Sequence, residues 1–289
     1  MLACLLVASA AFSETAAQLF TRAKKEKNPN TQIKMLTRVI AKSPRMADAY
    51  HYRADAYLSL GRNKQALDDY SRTVSLRPKD AFRYYARALA YQKMGRFSLA
   101  QADLTKAISL KPSYRNFYLA RARVNASLKK YEDALRDYQK YLGKRKPSAS
   151  LSKEMIPVYL SAYRYDSAKK QLESLIASGD DSADIHFWTG RIFSGQNRLD
   201  EAVSSYSKAI NRDGAYVQAY RYRAGAFKDM GDYPAALEDY TVLLRLQPEA
   251  IFYNRRGLVY EEMKRFKEAE QDYTKAIELS PKWPIPYNN

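Results

Sequence analysis

A single pattern recurs eight times along this chain, about 34 residues apart. That spacing limits what the chain can fold into more than any other feature. Within residues 81–114, Tyr84, Ala88 and Tyr91 stand at i, i+4 and i+7. Gly95 and Phe97 follow, then Ala100, Leu104 and Ala107 at the same spacing, then Pro112. Tyr50, Ala54, Tyr57, Gly61, Ala66, Tyr70 and Pro78 repeat the pattern, as do Tyr220, Ala224, Phe227, Gly231, Ala236, Tyr240 and Pro248. Spacing of i, i+4, i+7 places three side chains on one face of a helix. Each repeat therefore reads as two helices, A and B. Glycine between them takes the left-handed conformation that ends helix A, a role Asn197 also fits. Proline closes helix B. A unit this short cannot bury its own apolar face and must stack on its neighbours, so it offers surface rather than an enclosed active site.

These residues resemble the tetratricopeptide repeat family. Its pattern is a large residue at repeat position 4, a small one at 8, an aromatic at 11, Ala at 20, an aromatic at 24, Ala at 27 and Pro at 32. In this register the repeats are 13–46, 47–80, 81–114, 115–148, 149–182, 183–216, 217–249 and 250–283. The resemblance implies an all-α fold, a right-handed α-solenoid of stacked antiparallel helix pairs. Three departures stand out. Repeat 1 has Gln32 for the small alanine, repeat 4 has Asn125 for an aromatic, and repeat 5 lacks the closing proline and carries Pro157 inside helix A.

The repeats can be compared with one another. Position 7 is Arg in five of them: Arg53, Arg87, Arg121, Arg223 and Arg256. Position 23 is Asp in the same five: Asp69, Asp103, Asp137, Asp239 and Asp272. Where position 7 is Leu19, Met155 or Thr189, position 23 is Met35, Gln171 or Ser205. Residues that come and go together touch, so each Arg is expected to hold its Asp in a bidentate ion pair between helices A and B. These ten charges are read as scaffold. The chain's 25 tyrosines invite a base-stacking reading, but most fall at scaffold positions and are expected in the seams.

The remaining charge is uneven. Of the net +18, repeats 1–4 (13–148) hold 30 Lys and Arg against 11 Asp and Glu, whereas repeats 5–8 (149–283) are close to neutral. The change falls at Gly143-Lys-Arg-Lys-Pro-Ser-Ala-Ser150. With Pro157 beyond it, 143–157 is read either as a hinge between two sub-arrays or as an ordinary, slightly long turn. The basic half attracts anionic partners at long range, among them acidic peptides, lipid head groups, polysaccharide and nucleic acid. The same charge serves plain solubility equally well.

Residues 1–12 form an apolar segment in which Ala8-Ser9-Ala10 fits a small-x-small cleavage site. It resembles a secretory leader, which would place the protein in the periplasm or outside the cell. It lacks a basic residue ahead of the apolar run, and the other reading is a lead-in helix on repeat 1 of a cytoplasmic protein. The single cysteine, Cys4, lies in this segment, so no disulfide or thiolate metal site is expected in the repeats. At the other end, two prolines in the tail 284–289 oppose a regular helix. Trp283 and Ile285 either fold back on repeat 8 or leave an open end for self-association.

By resemblance, ligands lie along the face of helix A that carries positions 2, 5, 6, 9, 12 and 13. Here that face offers Phe82, Tyr85, Leu89, Leu119, Arg123, Lys153, Phe187, Trp188, Arg191, Arg221 and Tyr222. Aromatic and apolar groups beside arginines suit an extended or helical peptide with apolar anchors and some acidic character. Members of this family that hold chaperone C-termini use Lys, Asn and Arg on three successive A helices, and no three repeats here carry that set. There is no phosphate-binding glycine loop, no paired Cys/His ligand set and no nucleophile beside a histidine. The expectation is a non-catalytic protein-binding scaffold without cofactor, metal or small-molecule substrate, or alternatively a binder of an anionic polymer or membrane surface.

Overall fold

The computed structural model describes residues 14–281, and among them it contains sixteen α-helices and no strand. The apolar segment 1–12 and the tail with Trp283 and Ile285, on which a leader and an open end were read, lie outside the described residues. The chain divides into two compact halves between Arg145 and Lys146. The first half holds α1 (Ala16–Lys25), α2 (Pro29–Lys42), α3 (Ala47–Ser59), α4 (Asn63–Leu76), α5 (Ala81–Lys93), α6 (Phe97–Leu110), α7 (Arg115–Ser127) and α8 (Tyr131–Leu142). The second holds α9 (Ala149–Ser161), α10 (Tyr165–Ala177), α11 (Ala183–Gly195), α12 (Leu199–Arg212), α13 (Val217–Asp229), α14 (Tyr233–Leu246), α15 (Ala250–Glu262) and α16 (Phe266–Leu279). Odd-numbered helices are the A helices and even-numbered ones the B helices. Within each half every helix packs on the next in sequence, the pattern of an array without a single centre.

Helix A ends the same way in repeats 2–8. The backbone N–H one residue past the left-handed position closes back on a carbonyl five residues earlier, as in Arg62 N to Tyr57 O at 2.9 Å and Arg198 N to Phe193 O at 2.9 Å. Gly61, Gly95 and Gly231 take positive φ there, and Asn197 does so at +60°. Lys129, Tyr163 and Lys264 adopt the same conformation without glycine's freedom. The stacking of A on B thus imposes the reversal whatever residue stands at the turn.

The departures from the pattern are absorbed locally. Gln32 Nε2 donates to the carbonyl of Ala23 at 3.0 Å, fastening α2 to α1. Asn125 is buried and donates through Nδ2 to Asp137 Oδ2 at 3.1 Å. Pro157 lies inside α9, which nevertheless continues to Ser161. Met155, Ile156, Val158 and Leu160 around it are all buried, so packing on both flanks outweighs the hydrogen bond that proline removes. Because α9 begins at Ala149, capped by Ser148 Oγ accepting from Leu151 N, only 143–148 of the stretch 143–157 is non-helical.

Candidate functional site

The ten scaffold charges form five bidentate pairs. Arg53 Nε and Nη2 donate to the two carboxylate oxygens of Asp69 at 2.7 and 2.8 Å. Arg87 meets Asp103 at 2.7 and 2.8 Å, and Arg121 meets Asp137 at 2.8 and 2.8 Å. Arg223 meets Asp239 at 2.9 and 2.7 Å, and Arg256 meets Asp272 at 2.7 and 2.8 Å. The aspartates are buried and the arginines half-buried between flanking rings, such as Tyr84 and Tyr91 around Arg87. The hydrogen bond to Asp103 raises the pKa of Arg87 against the opposing effect of burial. At Asp239 burial wins, and the carboxyl is pushed above its ordinary range despite Arg223.

Each of these arginines also reaches backwards. Nη1 donates to a hydroxyl at position 25 of the preceding repeat: Thr37, Ser71, Thr105, Ser207 and Thr241, at 2.8–3.3 Å. One guanidinium therefore joins both helices of its own repeat to helix B of the one before. Position 25 is Gln139 or Glu173 where the following repeat has no arginine at position 7. That second co-occurrence is present in the sequence too, but it runs across the repeat boundary.

The proposed partner-binding residues separate into distinct sets. In the first half, Phe82 and Leu89 are about 40% exposed on α5. With Tyr85 they line a cleft of about 640 Å³ between α3 and α5. His51, Asp55, Leu58, Tyr70, Asp80, Arg83 and Lys93 are also among its walls. Phe82 is braced edge-on by Tyr114 at 5.0 Å and Phe117 at 5.5 Å, with Lys111 Nζ 4.7 Å from its ring centre. Burial raises the pKa of Tyr85, while nearby Arg123 works the other way. Leu119 is half-buried and Arg123 exposed on α7.

In the second half the structure corrects two assignments. Phe187 and Trp188 are buried, at 7% and 8% exposure, inside a core shared with Ile156, Leu172, Ile185, Ile192 and Tyr206. Repeats 5 and 6 lack the Arg–Asp pair and carry Met155 with Gln171 and Thr189 with Ser205 at those positions. Lys153 is held by Asp180, Nζ to Oδ2 at 2.6 Å. Phe187 and Trp188 support the fold, and Lys153, Arg191, Arg221 and Tyr222 are the half-exposed part of the set. Both guanidiniums lie over the Tyr222 ring, at 4.3 and 4.8 Å from its centre.

His51 and Lys93 stand at positions 5 and 13 of that same A-helix face, whereas Tyr70, at position 24 of helix B, closes the cleft from outside it. The Tyr70 hydroxyl donates to Asp55, and burial raises its pKa further above the ordinary tyrosine value. Among the described residues no three His, Cys, Asp or Glu side chains come together as a metal-binding group. None of the described helices is long and apolar enough to cross a membrane.

Residues 85–150, 154–219 and 250–282 match models described as Tetratricopeptide repeat, and 54–95 one described as TPR repeat. The chain belongs to the tetratricopeptide repeat family. Tetratricopeptide repeat protein 6 of Homo sapiens is 32% identical over 94 residues, 32% of this chain and 18% of that protein. Hsp70-Hsp90 organizing protein 3 of Arabidopsis thaliana is 30% identical over 118 residues, 40% of this chain and 21% of that protein. The chain thus spans about a fifth of the length of the curated relatives it matches. A tetratricopeptide repeat protein from Parabacteroides merdae, solved by crystallography, superposes with a TM-score of 0.70 at 16% identity, over 84% of this chain and 96% of that one. That likeness is one of fold.

Proposed function

We propose that this tetratricopeptide repeat protein is a non-catalytic scaffold that holds segments of other proteins against its A helices. The observation that carries the reading is the cleft between α3 and α5. Two large apolar side chains, Phe82 and Leu89, stand exposed at its edge, and the aromatic packing behind Phe82 fixes the ring before any ligand arrives. A preformed apolar pocket with a few polar groups suits one anchor residue of an extended peptide. The second half offers a smaller, more cationic face at Arg191, Arg221 and Tyr222.

Relatives named as Hsp70-Hsp90 organizing proteins do not make this chain a holder of chaperone tails. From repeat 2 onward its position-9 residues are Asp55, Leu89, Arg123, Pro157, Arg191, Gly225 and Leu258, which lack the asparagines of a carboxylate-clamping set. The test is partner binding by the full chain in about 0.5 M salt, where long-range attraction is screened. Phe82→Ala and Leu89→Ala should abolish it, and Leu99→Ala, an exposed residue of α6, should not. Binding that ignores the first two changes removes the cleft from the account.

The uneven charge favours a second reading, in which the basic repeats 1–4 hold an anionic polymer or membrane surface. Heparin affinity that falls steeply between low and physiological salt would support it. Export through residues 1–12 is a separate proposal, tested by N-terminal sequencing of the protein from its native host.

A further inference from the structure

Position 24 carries a tyrosine in repeats 2, 4, 6, 7 and 8, but its hydroxyl does not meet the same partner throughout. Tyr70 donates to Asp55, position 9 of its own repeat. Tyr273 donates to Glu261 Oε2 at 2.7 Å. In repeat 6 the residue at position 9 is Arg191, which cannot accept a hydrogen bond. Tyr206 is completely buried, with its ring against Gly190 and tilted on Phe187 and Tyr222. Its hydroxyl is closed from solvent and has no hydrogen-bond partner. Ser194 lies near enough to influence the phenol but does not reach hydrogen-bonding geometry.

The two guanidiniums beside it are equally unmatched. Arg191 and Arg221 converge on the Tyr222 ring, and neither has an ion-pair partner among the described residues. By contrast, each of the five scaffold arginines holds an aspartate. The negative face of a ring offsets part of this charge. Two cations on one ring still repel each other, and an anion between them would reverse the sign.

We propose that Arg191, Arg221 and Tyr206 form a carboxylate site, in which an aspartate or glutamate side chain of a bound peptide takes the acceptor place that Asp55 fills in repeat 2. The site rests on the reading that A helices hold peptide segments, and it says which side chain the second half selects. The carboxylate spans the two guanidiniums and accepts from the Tyr206 hydroxyl, so three unmatched donors find one acceptor group. Arg191 turns off the Tyr222 ring to grip the ligand, and this movement opens the way to the phenol.

The experiment selects random peptides on the full chain at physiological salt and measures the affinity of the recovered peptides by fluorescence anisotropy. Expected is a set enriched in Asp or Glu at one spacing. Arg191→Gln or Arg221→Gln should weaken these peptides about ten- to a hundredfold. Tyr206→Phe should weaken the acidic peptide but not its Asn or Gln counterpart. The phenylalanine variant should fold at least as well as the parent, because the change removes an orphaned hydroxyl. Peptides recovered without an acidic preference, or acidic peptides indifferent to all three changes, overturn the carboxylate site and leave the peptide-holding reading intact. A requirement for phosphoserine in place of Asp or Glu also overturns it. A selection that recovers no peptide overturns the site together with the reading beneath it.

Discussion

Replacing Asp103 with alanine tests the scaffold pairs at their cleanest member. Asp103 is 7% exposed. It accepts from Arg87 Nε at 2.7 Å and Nη2 at 2.8 Å. Truncation leaves a guanidinium with two donors unmatched between Tyr84 and Tyr91, keeping only the Ser71 bond at 3.2 Å. Breaking one side of a buried pair costs about 3–5 kcal/mol. The Arg87 side chain retains 18% exposure, so water recovers part of the loss and the lower end, about 3 kcal/mol, is expected. The chain supplies its own control. Repeat 1 carries Leu19 and Met35 at these two positions, both buried. Arg87→Leu with Asp103→Met copies that apolar pair into repeat 3 and should cost about 1 kcal/mol or less. Arrays of repeats do not unfold in one step, so the assay is native-state amide exchange in α5 and α6, read beside urea unfolding of the whole chain. Equal losses for the single and the double change would refute the reasoning, because the penalty would then come from lost packing or lost attraction and not from a stranded charge.

Three further outcomes follow from particular contacts. Gly190→Ala would place a Cβ 2.5 Å from Tyr206 Cε1, so it should destabilise repeat 6 by about 1–3 kcal/mol, seen as faster exchange in α11 and α12. Lys264→Gly relieves a left-handed lysine at φ +59° and should raise stability by about 1 kcal/mol, read from the urea midpoint. Burial holds the phenol of Tyr206 up to about 12 and raises those of Tyr85, Tyr159 and Tyr240. In the unfolded chain the same phenols ionise near pH 10. Between these values the folded state keeps protons that the unfolded state loses, so stability is full below pH 10 and falls as pH rises. Melting temperature should drop steeply above pH 10, with tyrosinate absorbance appearing in step with unfolding. Ionisation of all the rings before any loss of helix would contradict this.

Much of the scaffold was legible because the repeat supplies its own comparison. Position 7 predicted the partner at position 23 because both vary among repeats of one chain. The hydroxyls at position 25 vary in the same way, but with the arginine of the following repeat. The turns were legible at Gly61, Gly95, Gly231 and Asn197 but not at Lys129, Tyr163 or Lys264, where packing fixes a conformation that local preference opposes. The face of helix A was harder. Phe187 stacks on Tyr216 at 5.4 Å and on Tyr222 at 5.5 Å. A residue at the edge of a groove is buried or exposed according to the size of its neighbours in the next repeat. Helical spacing alone carries no such information, and so it assigned Phe187 and Trp188 to the surface.

The central claim is that the faces of the A helices hold other proteins. A photo-crosslinking residue placed at Leu89 on α5 tests it most directly, with the same residue at Leu99 on α6 as control, both in the native host. The account predicts covalent adducts to one or a few defined proteins from position 89 and none from position 99. Adducts from 99 alone would contradict it.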